Sequence, residues 1–511
     1  MRLSYFLVAW CGKPFVILFT LVLLGGCAAS QHRQQMADFS ESWAGGDYFA
    51  AAYGQNAEEV DPLTPEELED MDLLELLHLA EAVRLDGDDE LSILAYDQTE
   101  EAFRRFDEEN IAARSLGQAG AILFNESVRG YRGNLYEAVL VNTYKALSFL
   151  STSEPDLARV EFNRADDRTR RAVEYYAEQI QAQQEALEKE NEKAAEAQSV
   201  AATMESDAAQ TVLFEEYGNP SQWAVYPDFI NPFVTYLHGL YFLSTAQDGS
   251  DIERAVESLS RVEGMIDNSV VARDRELAEA LASGQIARDE LPQQVWLIYE
   301  NGTGPQLKES RIDIPIFLFT DGKANRPTYA GIALPKIATG APAHQMLRIG
   351  TQYDGSIEEF GQTELLADME RVLKTEFQQG FNGILGRAIA SAVVHLFIQA
   401  EASNQAGLLG ALAATAFTAS TTKADLRIWR ALPDHWQVAR FESPQEGMIS
   451  LADAYGQSMA DMILPDWPYT LIYVKQPTRF ARPAIRVIDL QGRHAAINPL
   501  ATSDSFVEAQ P

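Results

Sequence analysis

Apolar positions fall into three regimes along the chain. The first is one short run, Phe15 to Leu24, about 11 residues when Pro14 is counted. The second, from Met36 to about Ile286, has helical spacing: Leu73, Leu74, Leu76, Leu77 and Ala80 follow Pro65 and the acidic pair Glu66 and Glu67. Amphipathic runs continue at Ile93–Phe106, Leu135–Leu150, Leu157–Tyr176 and Phe233–Leu243, separated by breakers such as Asp86-Gly87 and Ser153-Glu154-Pro155-Asp156. In the third regime, past Leu291-Pro292, the period shortens. Val295–Tyr299, Ile312–Phe319, Tyr329–Leu334, Leu347–Tyr353, Trp436–Phe441, Thr470–Val474 and Ile485–Ile488 predict strands, and a block from about Glu364 to Thr421 predicts helix. The pattern predicts a multidomain α+β protein, with a helical domain over 38–290, an α+β domain over 291–500 and a tail over 501–511.

Small residues recur in the helical half at spacings that let antiparallel helices cross closely. Ala146, Ala158 and Ala165 stand at offsets of 12 and 7, and Ala95 and Ala102 repeat the 7. Gly46, Tyr48 and Ala51 form a Gly-x-Tyr-x-x-Ala piece; Gly239 and Ala255 fit if the turn Gln247–Ser250 is four residues longer. These offsets resemble the tetratricopeptide repeat, so the expected helical domain is tetratricopeptide-like. Gln181 to Gln210, rich in Ala, Gln, Glu and Lys, predicts a solvated helical extension without a heptad seam.

The first apolar run is too short to span a bilayer, which takes roughly 20 residues. Arg2 and Lys13 precede it, and Leu24-Gly25-Gly26-Cys27 ends it. That is the pattern of a secretory leader over 1–26 closed by a lipobox, with a diacylglycerol thioether, and palmitate as a further acyl chain, expected at Cys27. Residues 27–37 read as the lipidated tether. Ala28 after the cysteine resembles the outer-membrane sorting pattern of Gram-negative lipoproteins, which implies an anchor in that membrane and a periplasmic orientation. The formal charge of −35 deepens by two when Arg2 and Lys13 leave with the leader. So acidic a surface excludes nucleic acid, and gives no electrostatic attraction to an anionic membrane face. The chain has two cysteines: Cys11 is lost with the leader and Cys27 is taken by lipid. The mature fold must therefore hold without disulfides.

Tyr131-Arg132-Gly133-Asn134-Leu135-Tyr136-Glu137, Tyr144-Lys145-Ala146 and Glu161-Phe162-Asn163-Arg164 resemble a family of bacterial envelope lipoproteins with a tetratricopeptide-like N-terminal half. Asn231-Pro232, Tyr236, Gly239, Glu300-Asn301-Gly302-Thr303-Gly304-Pro305, Asp425-Leu426-Arg427-Ile428-Trp429 and Leu432-Pro433 extend the likeness over most of the mature chain. The resemblance implies an envelope lipoprotein and brings no catalytic residues with it.

Local chemistry is sparse. Between Arg129 and Arg171 the cations Arg129, Arg132, Lys145, Arg159, Arg164, Arg168, Arg170 and Arg171 exceed the anions Glu137, Glu154, Asp156, Glu161, Asp166 and Asp167. Arg129, Arg132, Lys145, Arg164, Arg168 and Arg171 are candidates for gripping an acidic partner, since guanidinium forks suit carboxylates and phosphates. The competing expectation is intramolecular ion pairing, for example Glu161 with Arg164 and Asp167 with Arg171. Glu300–Pro305 reads as a plain glycine turn. Ala406–Thr422 is apolar and about 17 residues long, and its Thr415, Thr418, Ser420 and Thr421 favour a core helix over a membrane span. The seven histidines show no metal spacing, and no nucleophile elbow occurs, so no cofactor, metal or catalytic set is expected. The chain is expected to act as an outer-membrane-anchored scaffold or assembly factor for a protein partner in the envelope. The alternatives are an envelope hydrolase with its site between the halves, or an oligomeric secretion or export component.

Overall fold

The computed structural model describes residues 34–55, 63–115, 131–191, 195–320, 323–324, 327–353, 356–421 and 423–500. Helices fill the N-terminal half: α1 (34–45), α2 (Tyr48–Tyr53), α3 (Pro65–Glu69), α4 (Leu73–Asp86), α5 (Asp89–Ser115), α6 (Leu135–Ser151), α7 (Pro155–Asn191), α8 (Ala195–Met204), α9 (Asp207–Tyr217), α10 (Pro232–Thr245), α11 (Gly249–Glu263) and α12 (Ser269–Ala282). The C-terminal half carries β1 (Gln294–Asn301), β2 (Gln306–Ile316), β3 (Phe319–Thr320), β4 (Lys323–Ala324), β5 (Thr328–Ala338), β6 (Leu347–Tyr353), β7 (Ser356–Gln362), β8 (Glu364–Asp368), α13 (Met369–Thr421), β9 (His435–Glu442), β10 (Met448–Asp453), β11 (Ser458–Ile463), β12 (Tyr469–Gln476) and β13 (Ala484–Asp489). The fold is mixed α+β, with helices first and sheets after.

Local chemistry sets the helix ends. Asp72 accepts from the amides of Leu74 and Glu75 while Glu75 reaches back, a capping box that starts α4; Gly87, at φ 109°, ends it. Asn231 caps α10 ahead of Pro232 at the first helical position. The runs Leu135–Leu150 and Phe233–Leu243, expected to be amphipathic, are buried on all sides: α6 from Tyr136 to Ser151 and α10 from Pro232 to Ser244. With α4 they form an inner layer, covered outside by α5, α7 and α11 and inside by a sheet.

That sheet has the order β13-β12-β1-β9-β8, with β1 parallel to β12 and antiparallel to β9. Both faces are covered. Trp296 and Ile298 on β1, with Leu471 and Tyr473 on β12, join the helices in one core. Val295, Leu297 and Tyr299 meet the second sheet, β11-β10-β6-β7, through Leu347, Ile349, Ile449 and Leu451. This double burial is why β1 and β12 read as unbroken apolar runs. The core runs without a break across the helix-to-strand switch near residue 291.

Three expectations are corrected. Glu364–Asp368 is strand β8, paired with β9, rather than the first turn of α13; its pairing carries a register shift that hides the alternation. Strands β7, β10 and β11 carry too little alternation to have been seen, because β7 and β11 are sheet edges with polar faces and β10, between β11 and β6, is buried along nearly its whole length. The tract read as solvated, Gln181 to Gln210, buries Ser199, Val200 and Thr203 on α8. Their hydroxyls accept the Phe319 and Phe317 amides at 2.9 and 3.0 Å, and α8 shares a third core with the β2–β5 hairpin (Ile314, Ile316, Ile332, Leu334) and with Leu385, Ile389 and Val393 of α13. A straight helix over the 53 residues of α13 would be about 80 Å long. Its first amide, Met369, donates to Asp434 O, and residues 423–434 can span at most about 40 Å, so α13 must bend.

The loop after β1 is held by backbone crowding. Gly302 has φ 78°, and a Cβ there would meet Ala341 O at 2.1 Å. Gly302→Ala is expected to lower unfolding free energy by about 3 kcal/mol or more. Gly284→Ala, at φ 69° with open space around it, is expected to cost only about 1 kcal/mol. Denaturant unfolding of the two variants checks the contrast.

Candidate functional site

Where β1 meets the helices, alternation points Glu300 inward, into the apolar layer. Its register neighbours are Lys475 on β12 and Trp436 on β9. Lys475 Nζ lies 3.1 Å from Glu300 Oε2, Trp436 Nε1 donates to Oε1 at 2.7 Å, and the Tyr144 hydroxyl of α6 donates to Oε1 at 2.5 Å. One turn of α4 supplies a second pair: Arg84 Nε and Nη2 each donate to Glu81 at 2.7 Å, and Tyr96 of α5 adds its hydroxyl at 2.8 Å. The Arg84 guanidinium lies 4.9 Å from the Tyr144 ring centre and 4.7 Å from that of Tyr473, which carries it from the helices to the sheet. Glu300 and Lys475 side chains are 0% exposed.

The quartet of Glu81, Arg84, Glu300 and Lys475 is charge-balanced. Burial pushes the Glu81 carboxyl up, against the pull of Arg84. Burial also raises Glu300, but Lys475, Arg84 and the Tyr144 hydroxyl outweigh it and hold this carboxyl below its ordinary value. Burial draws the Lys475 ammonium down, with Glu300 opposing. No ligand reaches these groups without opening the core, so their chemistry is that of a clamp.

Further ties repeat the device. Asp274 of α12 accepts from Tyr236 (2.5 Å), from Trp296 of β1 (3.2 Å) and from Arg440 of β9 (2.9 Å). Arg486 of β13 pairs with Asp89 at the start of α5. Glu137 of α6 accepts from the Tyr131 hydroxyl and the Asn134 amide, both at 2.7 Å, and from the Trp429 amide at 3.1 Å. Glu376 of α13 accepts the α6 amides of Leu135 and Tyr136. Burial lifts Glu137 to about 7 and Asp89 to about 6.

Three of the six sequence-predicted cations, Lys145, Arg164 and Arg168, converge on one acidic knot. Lys145, buried on α6, lies 2.6 Å from Asp97, 2.7 Å from Glu100 and 3.1 Å from Glu161. From α7, Arg164 reaches Glu161 at 2.7 Å and Glu100 at 3.5 Å, while Arg168 donates to Ala138 O at 2.9 Å and to Glu100 at 3.2 Å. Burial favours neutral forms here, yet the pairing holds Glu100 down and Lys145 up. The knot fastens α5, α6 and α7 with three cations against three anions. Arg171 stands apart, pairing with Asp167 at 2.9 Å while 74% exposed; Arg164 is 52% exposed. Arg132 is exposed before α6, and Arg129 and Cys27 lie outside the described residues.

One constellation looks catalytic. His435 Nδ1 is 2.7 Å from Asp434, as in an acid–histidine dyad. Its Nε2, the atom a general base would use, already faces the side-chain amides of Gln437 at 2.8 Å and Asn301 at 3.1 Å. The Asn301 amide also donates to His344 O, and its oxygen accepts the Ala343 amide, so the dyad braces the Asn301–Gly304 loop. No group of three or more His, Cys, Asp or Glu suited to a metal occurs among the described residues. Met369–Phe397 of α13 is apolar enough to cross a membrane by length and composition, with a third of its most apolar window buried.

Comparison with models of known families, with curated proteins and with solved structures finds no match.

The clamp residues went unnoticed in the sequence, although a signal existed. Glu81 interrupts a mostly apolar helical run, Leu77-His78-Leu79-Ala80-Glu81-Ala82-Val83, and Glu300 and Lys475 close the strand runs Trp296-Leu297-Ile298-Tyr299-Glu300 and Leu471-Ile472-Tyr473-Val474-Lys475. A charge carried into the core by such a run is kept only when paired.

Lys475→Met leaves Glu300 buried without its cation and is expected to destabilise the fold by about 3–5 kcal/mol, with Glu300→Gln/Lys475→Met losing less than the sum of the single changes. Equilibrium unfolding of the three variants measures this. The pH response of Glu137 has a defined sign. Its folded value, about 7, lies above the ordinary 4.5, so the folded chain keeps a proton that the unfolded chain has lost, and this group's contribution declines between about pH 4.5 and 7. Glu137→Gln is expected to flatten that part of the stability–pH curve.

Proposed function

We propose that the chain is an outer-membrane-anchored periplasmic lipoprotein that serves as a protein-binding scaffold or assembly factor. The observation that carries this reading is the run of helical hairpins α4–α5, α6–α7 and α10–α11, each joined by a short turn and crossed at small residues. Ala146, Ala158 and Ala165 are fully buried, and a Cβ on Gly239 would sit 3.0 Å from Leu259. This supports a tetratricopeptide-like character. The inner helices α4, α6 and α10 are covered by the sheet, so the partner surface is the outward face of α5, α7 and α11. There α7 presents Arg170 and Arg171, 61% and 74% exposed, together with the free half of Arg164. An acidic protein segment fits that stripe.

The anchor and the scaffold are tested separately. Cys27→Ser is expected to remove the lipid mass and release the chain from the membrane fraction, read by mass spectrometry and fractionation. Arg170→Glu/Arg171→Glu changes exposed pairs only and is expected to shift stability by less than about 1 kcal/mol. The same double change is expected to abolish capture of a specific envelope protein after cross-linking. Equal capture by both forms contradicts the assigned surface.

A further inference from the structure

The two most exposed large hydrophobic side chains among the described residues share one cation. Phe480 is 92% and Tyr455 84% exposed, and the Arg479 guanidinium lies 5.9 Å and 5.5 Å from their ring centres. They come from different sheets: Phe480 from the β12–β13 turn, Tyr455 from the β10–β11 turn. Both turns are held. Gln476 Nε2 donates to Ala481 O at 3.1 Å and the Ala481 amide to Thr478 O at 3.1 Å; Asp453 accepts the Tyr455 and Gln457 amides at 2.8 and 2.9 Å. The rings are thus presented on fixed backbone.

The β12–β13 turn is also stitched to α1, the first described helix. Thr478 Oγ1 donates to Ala44 O at 2.7 Å, and the Arg482 amide to Gly45 O at 3.1 Å. Gly46 allows this approach, since a Cβ there would lie 2.2 Å from Arg482 O. The described part of helix α1 begins at residue 34, seven positions after Cys27. Seven residues reach at most about 25 Å, and the twelve-residue helix adds about 18 Å. An anchored Cys27 therefore holds the turn within about 43 Å of the anchor.

We infer that the Phe480–Arg479–Tyr455 tip rests in the headgroup–acyl interface of the phospholipid bilayer that holds the lipidated Cys27. The inference rests on the lipid-anchor reading. Aromatic rings beside arginine suit that interface: the rings enter it and the guanidinium meets phosphate. Asp86, with Asp47 beside it, offsets Arg482, so the rings rather than net charge drive the contact. The contact therefore persists at high salt, in keeping with a chain of charge −35.

The mature chain's one cysteine is the anchor, so Phe480→Cys supplies a unique thiol for an environment-sensitive fluorophore. Phe214→Cys on α9, at a site 62% exposed and remote from the tip's turns in the chain, is the control. The lipidated protein is placed in vesicles of phosphatidylethanolamine and phosphatidylglycerol, and Cys27 lipidation is read independently by mass spectrometry. Expected is a blue shift at position 480, quenched by brominated lipid and unchanged at high salt, with position 214 staying in water. Tyr455→Ser is expected to weaken that quenching about tenfold in apparent affinity when unlipidated Cys27→Ser chain, in which position 480 again carries the one mature thiol, is titrated with the same vesicles. No shift at 480 in verified lipidated protein, or equal quenching at 480 and 214, overturns the tip contact while leaving the anchor standing. An unlipidated Cys27 overturns the anchor, and the vesicle titration then decides the tip alone: saturable quenching supports it and none refutes it.

Discussion

A carboxylate and an ammonium on neighbouring strands, Glu300 and Lys475, sit out of water between a sheet and a layer of helices, and the other ties in the fold follow their logic. Such a pair is a poor source of net stability, because desolvating both ions consumes most of their attraction. What it contributes is specificity. Glu300 is satisfied only when β12, β9 and α6 arrive together, since Lys475, Trp436 and Tyr144 come from those three elements. A helical layer docked one turn out of register would take the Tyr144 hydroxyl from Glu300 and lift Arg84 off the Tyr473 ring.

The same device recurs around the interface, at Asp274 with Arg440, at Asp89 with Arg486 and at Glu137 with the Trp429 amide. The two halves therefore form one core. The geometry narrows the functional reading too. The inner helices, which would line a groove in an open helical repeat, are spent on the sheet, and the proposed partner surface is therefore on the outward helices. The cations that drew attention in the sequence split accordingly. Lys145 and Arg168 hold three helices together, whereas Arg164, Arg170 and Arg171 keep a face to solvent.

The broad plan was legible because periodicity reports burial. Leu73 to Ala80 gave a helix, Val295 to Tyr299 gave a strand covered on both faces, and Ala146, Ala158 and Ala165 gave close crossings. Strand β8 was not, because its register shift against β9 breaks the alternation, and edge strand β7 is mostly polar. The burial of α8 was hidden by its small polar residues, Ser199 and Thr203, which resemble a solvated face until a hairpin closes on them. The clamp was the largest omission. Glu300 and Lys475 lie 175 positions apart, and only the parallel register of β1 with β12 brings them side by side.

The claim that one buried network makes the helical layer and the sheet a single cooperative unit is tested most directly by native-state hydrogen exchange. Amides of α4, α6 and α10 and those of β1 and β12 are predicted to converge on one opening free energy as denaturant is added. Opening of the helical amides at a clearly lower free energy, with β1 and β12 still protected, would contradict it.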